Sequence, residues 1–235
     1  MENLTKFIII EGSDGSGKST MTKTLKEYID NNIERYTAEI VAYPHKGYFG
    51  YDKIREILSG KITAPPDIVQ SLFIMNMIDS FENYINPYFN TNGKVIIMDR
   101  SIISTIVYNK LANGNILESI IKYLYKDEYL HLLSIDTINQ KYCNMKGNID
   151  NIFFLSPPLE IVLQHSKNRL LENKKIDDND KIECVIKQYK NYIDLYESFA
   201  KLNNNMTILN IWDYKLSEQE NYLNLQNIII STIFN

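Results

Sequence analysis

The sequence predicts an α/β protein: a P-loop three-layer α/β/α fold on a five-stranded parallel sheet, with a small flexible lid. Three observations lead there. Short apolar runs rich in β-branched residues recur along the chain with helix-period segments between them, the alternation expected of a parallel sheet covered on both faces. The first run, 7–10, passes straight into Gly12-x-x-x-x-Gly17-Lys18-Ser19 and then into helix-forming sequence. The length of 235 residues suits one large domain with a sizeable core. A single domain over 1–235 is therefore expected, with a lid at about 168–183 and an insertion at about 111–150.

The net charge of -4 argues against a general nucleic-acid binder or a membrane-surface protein, since both draw phosphates in with a basic field. Any phosphorylated ligand must then be held by local cations. Cys143 and Cys184 lie far apart without Cys-x-x-Cys spacing, so neither a disulfide framework nor a structural zinc site is suggested. No signal-peptide pattern opens the chain, and no run approaches the ~18 apolar residues of a membrane span. A cytoplasmic protein is the expectation.

Taken in order, strand 7–10 leads into the glycine loop and a helix over 19–31, with Leu25, Tyr28 and Ile29 at core-facing spacing. A second strand over 38–43 ends at Tyr43-Pro44-His45-Lys46, and α/β folds place ligand contacts on such loops. A short helix over 52–58 stops at Gly60, and Pro65-Pro66 opens the next, over 67–84. Its expected core stripe is Ile68, Leu72, Met75, Ile78 and Phe81, with Phe73, Asn76 and Met77 grouped off it. A third strand, 94–98, delivers Asp99-Arg100-Ser101, and a helix with Ser104, Thr105, Tyr108 and Asn109 follows. Helical periodicity returns over 116–133. A fourth strand, 151–155, turns at Ser156-Pro157-Pro158 into a helix reaching about Arg169. The polar stretch 172–181 reads as a flap. A helix over 182–202, a strand over 206–211 and a closing helix over 218–234 complete the chain.

The chemistry concentrates at the strand ends. Glycines at 12, 15 and 17 let backbone N–H groups point inward at the start of a helix, where a polyphosphate is favoured. The expected polyphosphate contacts are Gly12, Ser13, Gly15, Ser16, Gly17, Lys18, Ser19 and Thr20. Lys18 would reach the β- and γ-phosphates and Ser19 would ligate Mg2+. Asp99 and Arg100 emerge together from a buried strand, giving Asp99 a place near the metal and Arg100 a phosphate to clamp, or else forming a structural ion pair. Lys46 reads equally as a cation at the mouth of the site and as a solvated lysine. Phe73, Asn76 and Met77 read first as a plain helix flank, and Ser104, Thr105 and Tyr108 equally as hydrogen-bonding groups for a base or sugar and as a solvent-facing helix.

These residues resemble the thymidylate kinase family of P-loop nucleoside monophosphate kinases. The resemblance rests on Glu11-Gly12-Ser13-Asp14, Tyr43-Pro44, Leu72-Phe73-x-x-Asn76, Asp99-Arg100-Ser101 with Ser104-Thr105 and Tyr108, Leu155-Ser156-Pro157-Pro158, and Asp180-Lys181-Ile182-Glu183. It implies transfer of the γ-phosphoryl group of Mg-ATP to a deoxynucleoside monophosphate, most simply dTMP, by a homodimer. It also implies roles: Asp14 on the sugar 3′-hydroxyl, Lys46 and Arg100 on the acceptor phosphate, Phe73 on the base. An acceptor that is already an anion needs cations to offset repulsion and no strong base. A nucleoside kinase would need a carboxylate after the second strand, where His45 and Lys46 stand.

The chain departs from the pattern at Met77, where the family often has a base-reading arginine, and at Gly15, where some members have one. The lid offers Lys174, Lys175 and Lys181, with Arg169 at its entry as the leading cation for ATP. Met77 leaves a dUMP or broad deoxynucleotide kinase open. A catalytically silent nucleotide-binding module also stays open, whereas a GTPase switch is disfavoured because Asn109-Lys110-Leu111-Ala112 lacks the guanine-reading aspartate.

Overall fold

The computed structural model describes residues 4–101, 104–105, 107–108, 149–172, 182–200 and 206–234. The expected helix at 116–133, nearly all of the insertion and lid residues 173–181 lie outside these.

The described strands are β1 (Lys6–Glu11), β2 (Thr37–Ala42), β3 (Lys94–Asp99), β4 (Ile149–Leu155) and β5 (Met206–Leu209). They form one parallel sheet in the order β2-β3-β1-β4-β5. The helices are α1 (Lys18–Asn32), α2 (Tyr51–Leu58), α3 (Pro66–Ser80), α4 (Leu159–Glu172), α5 (Ile182–Ala200) and α6 (Glu218–Phe234), and residues 104, 105, 107 and 108 are also helical. Apolar residues fill successive positions of β1 because it is central and covered on both sides. Ile8 and Ile10 face Met21, Leu25 and Ile29 of α1 and Leu225, Ile229 and Ile233 of α6. Phe7 and Ile9 face the other way, toward Ile85, Val107 and Tyr192. Three layers follow from that two-residue period.

Register places the functional ends level. Ile10 of β1 aligns with Asp99 of β3, and Ala42 of β2 aligns with the same Asp99. The Arg100 N–H donates to the Ile10 carbonyl at 3.0 Å, carrying the ladder one residue past the strand. The exits of β1, β2 and β3 therefore open on one edge. From β1 the chain crosses to the edge strand β2, returns to β3 beside β1, and then passes to β4 and β5 on the other side of β1, so connections leave in opposite directions at the strand ends, the switch point at which α/β sheets bind ligands.

The expected core stripe of α3 is corrected. Gln70, Ile74, Asn76 and Ser80 are its buried residues, while Ile68, Met75 and Ile78 are 51, 46 and 37% exposed. The buried side of α3 meets a loop backbone that needs hydrogen bonds, so polar residues occupy it and apolar ones face out. The α-helix also stops at Ser80, earlier than 84. It widens into a π turn over Phe81–Ile85 that buries Ile85, then tightens to a 3-10 turn over Asn86–Asn90 containing Pro87.

Candidate active site

The glycine loop joins β1 to α1, and Gly17 at the head of α1 is left-handed, with no side chain capping the first turn. Its free N–H groups point into the loop. Lys18 curls back over it, its ammonium donating to the Ser13 carbonyl at 2.7 Å, and burial, reinforced by Arg100, pulls that ammonium down to about 8. The Ser16 hydroxyl is buried without a partner. Ser19 and Thr20 are exposed on α1, and the Ser19 hydroxyl donates to Asp99 Oδ2 at 2.9 Å. A hydroxyl against a buried carboxylate beside the loop suits Mg2+, which takes few protein ligands and shares the phosphates.

The loop is braced from behind. The His165 Nδ1–H of α4 donates to the Gly15 carbonyl at 2.7 Å while Nε2 meets Glu218 at 2.8 Å, and the Tyr222 hydroxyl of α6 donates to the Ser16 carbonyl at 3.1 Å. A Cβ on Gly15 would stand 2.6 Å from the Val162 carbonyl and one on Gly12 2.5 Å from that of Leu155. The loop is thus packed too closely for side chains. None of these bracing residues carries a motif in the sequence.

Arg100 crosses in from β3. Its guanidinium is ion-paired with Asp14 of the loop, and Asp14 also accepts from the Tyr108 hydroxyl at 2.7 Å. Burial works against the Asp14 charge, but Arg100, Lys18, Tyr108 and finally Arg169 outweigh it and hold the carboxyl well below the usual range. Burial likewise opposes the Arg100 charge, and Tyr108 and Asp14 outweigh it. Arg169 is partly buried on α4, with one guanidinium nitrogen, Nη2, lacking any partner. An orphaned guanidinium donor within reach of Asp14's field fits an anionic ligand.

On the far side, Asn76 of α3 is fully buried and holds the loop after β2. Its Oδ1 accepts from the His45 N–H at 2.6 Å, and its Nδ2 donates to the His45 and Phe49 carbonyls, both at 3.0 Å. Asn76, expected as a nucleotide contact, turns these amide atoms to the loop backbone. It acts on the site by fixing the loop, on which Lys46 lies exposed. Phe73 and Met77 are partly buried on α3, and the buried Thr105 donates its hydroxyl to the Met77 sulfur at 3.8 Å. Ser104 is buried, its hydroxyl donating to Glu11 and accepting from Arg100. Glu11, missed as a site residue, shows in the sequence only as a carboxylate closing an apolar strand. Among the described residues no cluster of three or more His, Cys, Asp or Glu is placed to hold a metal, and no helix is long and apolar enough to cross a membrane.

The pattern of these residues is shared with known proteins. The thymidylate kinase family model matches residues 10–211. A thymidylate kinase of Buchnera aphidicola is 29% identical over 229 residues, covering 95% of this chain and 98% of that protein. A probable thymidylate kinase of Methanobrevibacter smithii is 32% identical over 153 residues, 64% of this chain and 75% of the relative. One from Caldicellulosiruptor saccharolyticus is 27% identical over 204 residues, 85% of this chain and 86% of the relative. With the family matched from the end of β1 to the residues after β5, the chain belongs to the thymidylate kinase family of nucleoside monophosphate kinases.

Proposed function

We propose that this chain transfers the γ-phosphoryl group of ATP to the 5′-phosphate of dTMP, giving dTDP and ADP. The observation that carries the reading is the placement of two cations on the glycine loop, Lys18 from the head of α1 over the Ser13 carbonyl and Arg100 from the end of β3 against Asp14. Two cations with one shared counter-ion make a place where two phosphorylated nucleotides can be brought end to end. In the transfer an acceptor phosphate oxygen forms the new bond to the γ-phosphorus as the bond to the β–γ bridging oxygen breaks, and ADP leaves.

On this reading the loop from Gly12 to Thr20 cradles the donor phosphates and Lys18 stabilises the charge that spreads in the transition state. Arg100 and Lys46 bind the acceptor phosphate, Asp14 and Tyr108 face its sugar, and Phe73, Met77 and Thr105 face the base. Arg169, with its unpartnered nitrogen, supplies the cation from the lid side. Ser19 and Asp99 would hold Mg2+, which neutralises the donor phosphates when bound. The exposed Ile68, Met75 and Ile78 of α3, beside the exposed Phe49, support a homodimer through that face. A reducing, cytoplasmic setting fits the sparse cysteines.

Met77 in place of a base-reading arginine supports one second reading, a kinase that also takes dUMP or other deoxynucleotides. Coupled ATP-consumption assays with each monophosphate test both. Turnover fastest with dTMP is expected. Turnover much faster with dGMP or dAMP would refute a pyrimidine acceptor, and no turnover with any would leave a nucleotide-binding module.

A further inference from the structure

Glu11 ends β1 with no exposed surface, and its carboxyl is pushed up by that burial against the pull of Ser101 and Arg100. A carboxylate is tolerated there only if its oxygens are met. Oε1 accepts from the Ser101 backbone N–H and hydroxyl, both at 2.6 Å, and from the Ser104 N–H at 3.3 Å. Oε2 accepts from the Ser104 hydroxyl at 2.9 Å and the Tyr192 hydroxyl at 3.3 Å. One side chain therefore ties the P-loop strand to the exit of β3 and to α5.

Arg100 lies between those ties, and the carboxylate acts on it twice. Its backbone is left-handed, at φ 79, where side-chain-bearing residues are rarely found. The bonds to Ser101, the next residue, hold the chain in that turn. Then the Ser104 hydroxyl gives its hydrogen to Glu11, which leaves its lone pairs turned toward Arg100, and Nη1 donates to that oxygen at 3.1 Å. The Tyr192 hydroxyl, 2.8 Å from the same Ser104 oxygen, accepts from Nη1 at 3.4 Å. Backbone and guanidinium are both aimed by the same buried carboxyl group.

We infer that Glu11 is a positioning residue that presets the Arg100 guanidinium for the acceptor phosphate, through the Ser101 backbone and the Ser104 and Tyr192 hydroxyls. The inference rests on Arg100 binding that phosphate. A carboxylate that merely satisfies a buried corner would support fold and both substrates alike. One that presets Arg100 serves the acceptor and spares ATP.

The test measures acceptor kcat/KM and, separately, the equilibrium Kd for ATP on the full chain. Glu11→Gln keeps the size but turns an amide toward donors. It should lower acceptor kcat/KM about 30-fold, or about 2 kcal/mol at ~1.4 kcal/mol per tenfold, with ATP Kd changed less than about 2-fold. Ser104→Ala should lower it about 10-fold, and adding it to Glu11→Gln should cost little more, because both act on one path. Unchanged acceptor kcat/KM in Glu11→Gln, or an equal loss of ATP affinity, overturns the inference. Should Glu11→Gln fail to fold, Ser104→Ala and Tyr192→Phe decide: an acceptor-only loss in both upholds it, and no such loss overturns it. Arg100→Ala separates the two levels. If it leaves acceptor kcat/KM intact, the phosphate role of Arg100 falls and the inference with it; if it costs more than about 100-fold while Glu11→Gln costs nothing, only the inference falls.

Discussion

Gly15→Ala isolates how tightly the phosphate loop is built against α4. Gly15 has φ 82, and a side chain in that region costs about 1–2 kcal/mol. The new methyl would also stand 2.6 Å from the Val162 carbonyl and 2.8 Å from the Ser166 hydroxyl oxygen, far inside ordinary contact. The helix cannot drift away freely, because the Val162 side chain is fully buried and His165 bonds the Gly15 carbonyl. Overpacking of this kind costs about 1–3 kcal/mol. The sum, about 2–5 kcal/mol, is a large share of the roughly 5–15 kcal/mol that holds a domain folded.

Gly47→Ala is the matched control. Its φ is 89, but nothing lies within 4 Å of its added Cβ, so only the backbone cost of about 1–2 kcal/mol applies. Urea unfolding of both variants without ligand gives the difference directly. Gly15→Ala should be the less stable by about 1–3 kcal/mol, the steric part alone. If the two are equally destabilised, α4 is not seated on the loop as described and the bracing of Gly15 by His165 has no mechanical meaning.

Other outcomes follow from the same geometry. Lys18 is drawn down to about 8, so above that pH the free protein has partly lost the proton that a bound triphosphate favours; ATP binding at pH 8.5 should take up a proton, seen by calorimetry in two buffers and absent in Lys18→Ala. The unfolded chain, at its ordinary 10.5, holds more protons than the folded one between pH 8 and 10.5, so this group's contribution to stability rises with pH across that window. Asn76→Ala removes three bonds to the backbone of the loop carrying Lys46 and should cost about 2–4 kcal/mol in urea unfolding, with a raised acceptor KM. Met75→Lys on the exposed face of α3 should leave monomer stability within about 0.5 kcal/mol and shift sedimentation toward monomer; an unchanged dimer would place the interface elsewhere.

The strands and the P-loop were legible because their signals are local. β-branched runs, three glycines and Lys-Ser need no knowledge of neighbours, and the closing helix at Glu218–Phe234 stands where its periodicity places it. The face of α3 was not, because periodicity ranks residues by apolarity and assumes the core is apolar. Here Asn76 and Ser80 are buried to serve the His45 backbone and ring, and that demand arises from a loop thirty-odd positions earlier in the chain. Glu11 escaped for a related reason. Whether a carboxylate is a catalyst, a metal ligand or an anchor depends on what the register sets beside it, and Ser101 and Tyr192 lie 90 and 181 positions away.

The ion pair of Arg100 with Asp14 also explains why an acidic protein would select a whole nucleotide over a bare anion. Arg100 is already paired with Asp14, so a phosphate arriving alone must draw the guanidinium away and leave a partly buried carboxylate with less compensation. A 5′-monophosphate carrying a 3′-hydroxyl offers, on the proposed roles, an anion for Arg100 and a donor for Asp14 at once. Exchange then leaves neither charge bare. Removing that hydroxyl from the acceptor should therefore lower kcat/KM by about 10- to 100-fold, the scale of a hydrogen bond to a charged group. Asp14→Asn should shrink that gap, since an amide no longer demands the donor. Equal discrimination by Asp14→Asn and the parent protein would mean that the sugar is read elsewhere.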